Sequence, residues 1–440
     1  MELVRAKERT LLLTEDGRIH APFSLYLNME FDSPNTLASV AVGLHLLDVF
    51  IRAFSVNLEQ RALVGQCLTE AEKRALRQMA YRPIADIDRM SQAMVRRFAK
   101  TTSDLAPPDR EGAVEPNTAA QRLRQIAGFL EWYARVIIEP GMPLGSPTTD
   151  ALRRSYESCC QWLKTAIGGT KASHPHSIRS APRDTFLAIY QKVYLDPEEV
   201  FFAPGGKTGA TLMRDRAIVL LAAEGVRPGA IGNIQLADFS WTGGNASGYV
   251  RLKDNVSKRG TRVTTGTPTQ KGIRSKQSYN SNITVKLWPT TSAAIHEYMD
   301  GEREAVIGKT LKNPSKGFLF VGEHGGPIAS RGTLAAVFKR AERGLQPLGL
   351  LARAPTDPYL EGDEYDFVAY LMRHSSVSLF YEVHADKADA TTLMKDRFGW
   401  NAKSNMPSLY ARRSINDRAS VDLMEFLESL SAARKTKEQS

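Results

Sequence analysis

Cysteine is scarce: the 440 residues contain three, Cys67, Cys159 and Cys160, and two of them are adjacent. That count cannot build a disulfide framework, and it offers no Cys-x-x-Cys spacing for a metal. The eight histidines are scattered, and the closest pair, His174 and His176, brackets Pro175 with no cysteine or carboxylate nearby. No metal is expected. There is no GxGxxG or GxxxxGK[ST] phosphate loop, so no nucleotide cofactor is expected either. Long uninterrupted apolar runs are missing as well. The longest, Leu37 to Phe54, contains His45, Asp48 and Arg52 and reads as too polar to span a bilayer. The first residues, with Glu2, Arg5, Lys7 and Glu8, lack the apolar segment of a secretion signal. These absences predict a cytoplasmic, reducing location and no membrane partner.

What is present is the balance of a globular protein, 42% hydrophobic and 24% charged, at a length that suits two domains. Basic residues exceed acidic ones, 58 to 48, for a formal charge of +10. Such an excess favours a polyanionic partner, because each phosphate neutralised by a basic side chain releases condensed counterions. Nucleic acid leads the candidates.

Residues 1–31 read as a polar tail, with a short strand pair suggested around Leu11–Leu13 and Ser24–Leu27. Ser33 followed by Pro34 marks a helix start, and a helix should run to about Phe54. From Thr118 to about Ile138 apolar residues recur at helical spacing, leaving Arg122, Arg124 and Arg135 off the stripe as a solvated or phosphate-tracking face. Another amphipathic helix covers Leu152–Ile167. Gly168 to His176 then has linker composition. The chain therefore divides into a tail (1–31), a helical domain (32–170), a linker (171–182) and a second domain (183–440). In the second domain, helices at Asp184–Val193 and Gly209–Ala223 precede β-branched stretches at Gly248–Leu252, Arg262–Thr265 and Asn282–Leu287. These predict a small antiparallel sheet. Helices return at Ser292–Met299, Arg331–Leu345, Asp366–Val383, Lys387–Phe398 and Val421–Ala433. The expected fold class is mainly α with a small antiparallel β-sheet.

Three segments carry the chemistry. Arg214 to Ile231 holds an apolar helix that stops at Gly225, with Arg227 at the start of the next helix. Tyr370-Leu371-Met372-Arg373-His374 places a second arginine three residues after a hydroxyl-bearing ring. Phe398-Gly399-Trp400 is followed by Met406-Pro407-Ser408-Leu409-Tyr410-Ala411-Arg412. In order, spacing and residue types, these resemble the two arginine boxes, third box and nucleophile segment of the tyrosine recombinase (phage integrase) family. The stretch from Arg122 to Arg135 looks like part of that family's helical core-binding domain. The resemblance covers roughly residues 33 to 415.

It implies a core-binding domain followed by an α+β catalytic domain, acting on double-stranded DNA as a homotetramer on two sites, without metal, ATP or other cofactor. Tyr410 would be the nucleophile, storing the phosphodiester energy as a phosphotyrosine ester. Arg227 and Arg373 would neutralise the phosphorane, whose non-bridging oxygens suit forked guanidiniums. Tyr370 stands where the family has histidine; it keeps a hydrogen-bond donor but loses an imidazole that titrates near neutral pH. Trp400 would buttress the tyrosine segment. A lysine should protonate the leaving 5′ oxygen. Lys271 is preferred and Lys253 is the runner-up, within a basic region that also holds Lys258 and Arg259. Lys253, Lys258, Arg259, Arg122 and Arg124 are the expected DNA contacts. His374 reads as a packed helix residue rather than an acid or base. The alternatives are a catalytically impaired, recombinase-like DNA-binding protein of a mobile element, and a topoisomerase-like enzyme. Either active reading puts the protein with the nucleoid.

Overall fold

The structure, a computed structural model, describes residues 1–6, 9–31, 34–98, 113–167, 179–202, 211–253, 255–259, 266–268, 283–308, 317–353, 357, 359 and 362–418. It is mainly helical with two small antiparallel sheets. The chain falls into two compact units, Met1–His174 and Pro175–Ser440.

The first unit opens on a hairpin rather than a tail: β1 (Glu2–Ala6) pairs antiparallel with β2 (Arg9–Leu13), Glu2 opposite Leu13. The segment read as a second strand, Ser24–Leu27, lies inside a helix, α1 (Ala21–Glu30). Its Phe23, Tyr26 and Leu27 are buried, so this helix packs into the core rather than forming part of a tail. Short apolar runs fit helix and strand equally, and only burial separates them.

Helix α2 (Pro34–Phe54) follows, then α3 (Leu58–Ala62), α4 (Glu70–Ala80), α5 (Ile84–Arg89) and α6 (Gln92–Arg97). The starts of α4 and α6 are written locally: Thr69 and Glu72 form a reciprocal capping box, and Ser91 caps α6. Helices α7 (Pro116–Tyr133) and α8 (Pro147–Thr165) complete the bundle. Leu123, Ile126 and Leu130 of α7 are fully buried, each contributing about 1.5–3 kcal/mol by burial. Helix α2 is long and apolar enough to cross a bilayer by length and composition, and most of its apolar side chains are enclosed in this unit. Its polar interruptions are paired: His45 Nε2 lies 2.5 Å from Asp88 Oδ1, and Arg52 bonds Asp48 at 2.8 Å.

The second unit is built around α11. Helices α9 (Arg183–Leu195) and α10 (Pro197–Val200) precede α11 (Leu212–Ala223), of which every residue except Met213 is buried. A helix apolar on all sides needs neighbours on all sides, and here they include α9, α13 (Pro289–Tyr298), α15 (Arg331–Leu345) and α16 (Ala369–His384). The short α12 (Pro228–Ile231) comes next, then a three-stranded antiparallel sheet. Its order is β3 (Phe239–Ser240), β4 (Tyr249–Leu252), β5 (Ile283–Lys286), with Val250 opposite Val285. Alternation sends Val250, Leu252 and Val285 into the core. Helix α14 (Glu304–Gly308) lies between α13 and α15, and α17 (Ala390–Phe398) and α18 (Met406–Tyr410) follow α16. Ser33, the strand expected at 262–265, Lys271 and the helix expected at 421–433 lie outside the described residues.

Candidate active site

The site is assembled where α11 ends. Gly225 takes φ +83, which reverses the chain, and a Cβ there would sit 2.3 Å from the Phe398 ring. Only glycine satisfies both demands. Beneath it the Glu224 carboxylate is buried, ion-paired to Arg397 of α17 at 2.7 Å, and accepts the Trp288 N–H at 2.6 Å. Burial raises its pKa against the pull of Arg397. This pins the end of α11 to α17 and to the segment following β5. Arg227 then caps α12, with Pro228 in the first turn, where its missing N–H costs nothing.

Arg373 enters from α16 and is 2% exposed. Its Nη1 donates to the Gly225 carbonyl and its Nη2 to the Phe398 carbonyl at 3.0 Å, while Nε is buried without an acceptor among the described residues. The guanidinium faces three rings, Trp400 at 5.2 Å and Phe398 and Tyr410 at 5.6 Å. Burial and the charge of Arg227 push the Arg373 pKa down to about 9, with Tyr410 and Tyr370 acting the other way. The Arg227 pKa is lowered too, by burial, again opposed by Tyr410 and Tyr370.

Tyr410 closes the cluster. Pro407 sits in the first turn of α18, and the Tyr410 carbonyl accepts from Ser378 Oγ of α16 at 3.2 Å. The phenol ring stacks on His374, centroids 3.9 Å apart and planes 9° apart, and meets Trp400 at 5.1 Å. Burial, with Arg179 and Arg373 nearby, drives the His374 pKa down to about 3. The imidazole is therefore neutral at physiological pH. Tyr370, in the first turn of α16, is 42% exposed. With Arg227, Gly229, Arg331, Lys339 and Phe367 it lines an open cleft of about 300 Å³.

Arg227, Tyr370, Arg373, Trp400 and Tyr410 thus meet across the 184 residues from 227 to 410. The expected DNA contacts divide. Lys258 is exposed and bonds Gln235 Oε1 at 2.9 Å, and Arg124 is exposed, with Nε on its own helix at Ala120 O, 3.1 Å away. Lys253 forms an ion pair with Asp238 at 3.0 Å. Two expectations are corrected. Arg122 is buried, donating to the Ala80 and Arg82 carbonyls at 3.0 and 2.6 Å, so it closes the end of α4 rather than lining a phosphate-tracking face. Arg259 is 1% exposed and bonds the Gly232 carbonyl at 2.8 Å, Asn233 Oδ1 at 3.0 Å and the Ile328 carbonyl. It is a cross-link inside the fold. A polar face in the sequence does not show which guanidiniums fold inward to satisfy helix-terminal carbonyls.

Sequence reading also missed Glu224, Arg397 and Arg413. The available signal for Arg413 was its spacing, one helical turn beyond the tyrosine. Compared with known proteins, the chain matches no family model and no curated protein.

Proposed function

We propose that this protein is a site-specific DNA recombinase that cleaves and rejoins DNA strands through a 3′-phosphotyrosine, without metal or ATP. The observation that carries the reading is the convergence of two largely desolvated arginines, Arg227 and Arg373, on one tyrosine, Tyr410. Two arginines, Arg373 buried with an Nε that has no acceptor among the described residues and Arg227 at the open cleft, make a receptor for a tetrahedral anion. A hydroxyl nucleophile beside that anion defines phosphoryl transfer.

In this reading the Tyr410 phenol loses its proton to solvent in the open cleft as its oxygen attacks the scissile phosphorus, and the bond to the 5′ oxygen breaks. A lysine from the basic region between β4 and β5, Lys271 foremost, hands a proton to the departing oxygen. Arg227 and Arg373 take the charge that builds on the non-bridging oxygens, and Tyr370 donates its hydroxyl from the open side. Trp400 and His374 hold the phenol from two sides. Attack on the phosphotyrosine by another strand's 5′ hydroxyl restores the diester and frees Tyr410. Double-stranded DNA is the partner, engaged as a tetramer on two sites with the helical first unit as the second DNA-gripping element, and the protein works at the nucleoid.

The test is denaturing capture of protein-linked DNA from cells carrying the wild type or Tyr410→Phe, followed by sequencing of the attached ends. Adducts at one recurring sequence, present only with Tyr410, support the assignment; equal recovery from Tyr410→Phe sinks it. Relaxation of supercoiled DNA of any sequence would instead favour a topoisomerase-like activity. One observation favours a second reading, a DNA-binding relative with weakened catalysis: a tyrosine, Tyr370, stands where the resemblance expects an imidazole, and His374 is held neutral. That reading expects salt-sensitive DNA binding and no adduct.

A further inference from the structure

We infer that the buried Arg413–Asp357 pair is a positioning device that sets the rotation of the Tyr410 helix and ties it to the chain where it enters the second unit. The inference rests on Tyr410 as the nucleophile. After α18 the chain turns once at Ala411 and continues helical over 412–418, so Arg413 lies one turn beyond Tyr410. Its guanidinium is 6% exposed and uses both edges. Nη1 and Nη2 grip the two Asp357 oxygens at 3.1 and 2.9 Å, and Nε donates to the Ser180 carbonyl at 2.8 Å.

Asp357 is held in turn. It accepts the Tyr365 hydroxyl at 2.7 Å and the Tyr359 N–H at 3.1 Å, and the Tyr359 ring lies 5.0 Å from the Arg413 guanidinium. Burial pushes the Asp357 pKa up, but these hydrogen bonds outweigh it and keep the group below the usual carboxylate range. The Ser180 side of the tie continues into the site. The next residue, Ala181, donates its N–H to Ser375 Oγ at 2.9 Å, and Ser375 is two residues from Arg373 on α16. A single peptide group at the start of the second unit, Ser180–Ala181, therefore holds both helices whose relative placement brings Tyr410 to Arg373, one through its carbonyl and the other through its N–H.

A buried ion pair is an expensive way to gain stability, because desolvation cancels much of its attraction. What it supplies is geometry, since a forked, three-point grip allows one orientation. A tyrosine hydroxyl lies roughly 8 Å off its helix axis, so a turn of about 10° would move it by about 1.5 Å. Misplacement on that scale costs on the order of 100-fold in a reaction that depends on alignment.

The experiment compares the wild type with Asp357→Asn, which keeps the shape, and Arg413→Lys, which keeps the charge but not the fork. Fluorotyrosine at 410 reports placement by fluorine NMR, because the ring currents of His374 and Trp400 set its shift. Single-turnover cleavage of a nicked duplex and DNA affinity are measured alongside. The expected result is an altered fluorine shift, unchanged DNA affinity and cleavage slowed by about 100-fold. A substrate with a sulfur leaving group, which relieves a defect in protonating the 5′ oxygen, should not restore the rate. An unmoved fluorine signal, or cleavage at the wild-type rate, overturns the positioning role. So does unfolding of both variants, which would make the pair a stability element. If the wild type forms no adduct while Asp357→Asn still shifts the signal, the nucleophile reading fails and the tie stands.

Discussion

The imidazole of His374 lies flat on the ring of Tyr410, 3.9 Å between centroids, and it does so as a neutral group whose pKa is depressed to about 3. The unfolded chain binds a proton at His374 below about pH 6.5 while the folded chain does not, so the unfolded state carries more protons between pH 6.5 and 3. Stability should therefore fall as pH drops through that window, by up to about 1.4 kcal/mol per pH unit. Urea melts at neutral and mildly acid pH check this. His374→Phe should flatten the slope and keep cleavage close to wild type, because it preserves the stacked ring. His374→Ala should lower cleavage by roughly 10- to 100-fold.

Gly225 is expected to be the least replaceable residue near the site. Alanine there meets both a left-handed backbone cost of about 1–2 kcal/mol and the Phe398 ring. Gly243, at φ +93 with open space around it, bears only the first. Thermal melts of Gly225→Ala and Gly243→Ala should show a clearly larger loss for the former. Cleavage should drop only in Gly225→Ala, since its carbonyl and that of Phe398 seat Arg373.

The buried arginines separate folding from DNA contact. Arg122→Met and Arg259→Met each strand main-chain acceptors, at an expected cost of about 2–4 kcal/mol. The salt dependence of DNA binding by the folded fraction should not change. Arg124→Ala should leave stability within about 0.5 kcal/mol. If Arg124 touches a phosphate, the slope of log affinity against log salt should become shallower by about one unit. Titrations of labelled duplex at several salt concentrations distinguish these outcomes.

Burial lowers the pKa of both Arg227 and Arg373, and a bound anion should relieve that. Inorganic phosphate or vanadate is expected to raise the melting temperature in a concentration-dependent way, following the usual linkage between binding and folding. Arg227→Ala should abolish the effect. An equal rise in wild type and variant would mean that the anion binds elsewhere.

The sequence made α2, α7, α8 and α11 legible because their apolar stripes repeat at helical spacing, with Pro34 and Gly225 marking ends of α2 and α11, whereas α8 begins at Pro147, ahead of the Leu152 start expected for it. It could not separate helix from strand at Ser24–Leu27, where four residues fit either period. The arginine–tyrosine cluster was legible because Arg227, Arg373 and Tyr410 each stand in a recognisable local setting. The Asp357–Arg413 pair was not, since its partners are 56 residues apart and Asp357 has no local signature among neighbouring acids. Arg122 shows the same limit. Read as lying off the apolar stripe, it is buried with the core-facing residues of α7, because the Ala80 and Arg82 carbonyls lie where its guanidinium can reach them.

Arg373 is seated by the main-chain oxygens of residues 225 and 398. Those oxygens are supplied by any amino acid with the right backbone path, so a side-chain scan across positions 398 and 225 would report on the Phe398 ring's contact with the guanidinium and on backbone strain at 225, not on the acceptors themselves. The seat of Arg373 is in this sense written in the course of the polypeptide rather than in its side chains. Its composition could drift widely around a fixed pair of carbonyls, while a single peptide-plane rotation at Gly225 would dismantle it.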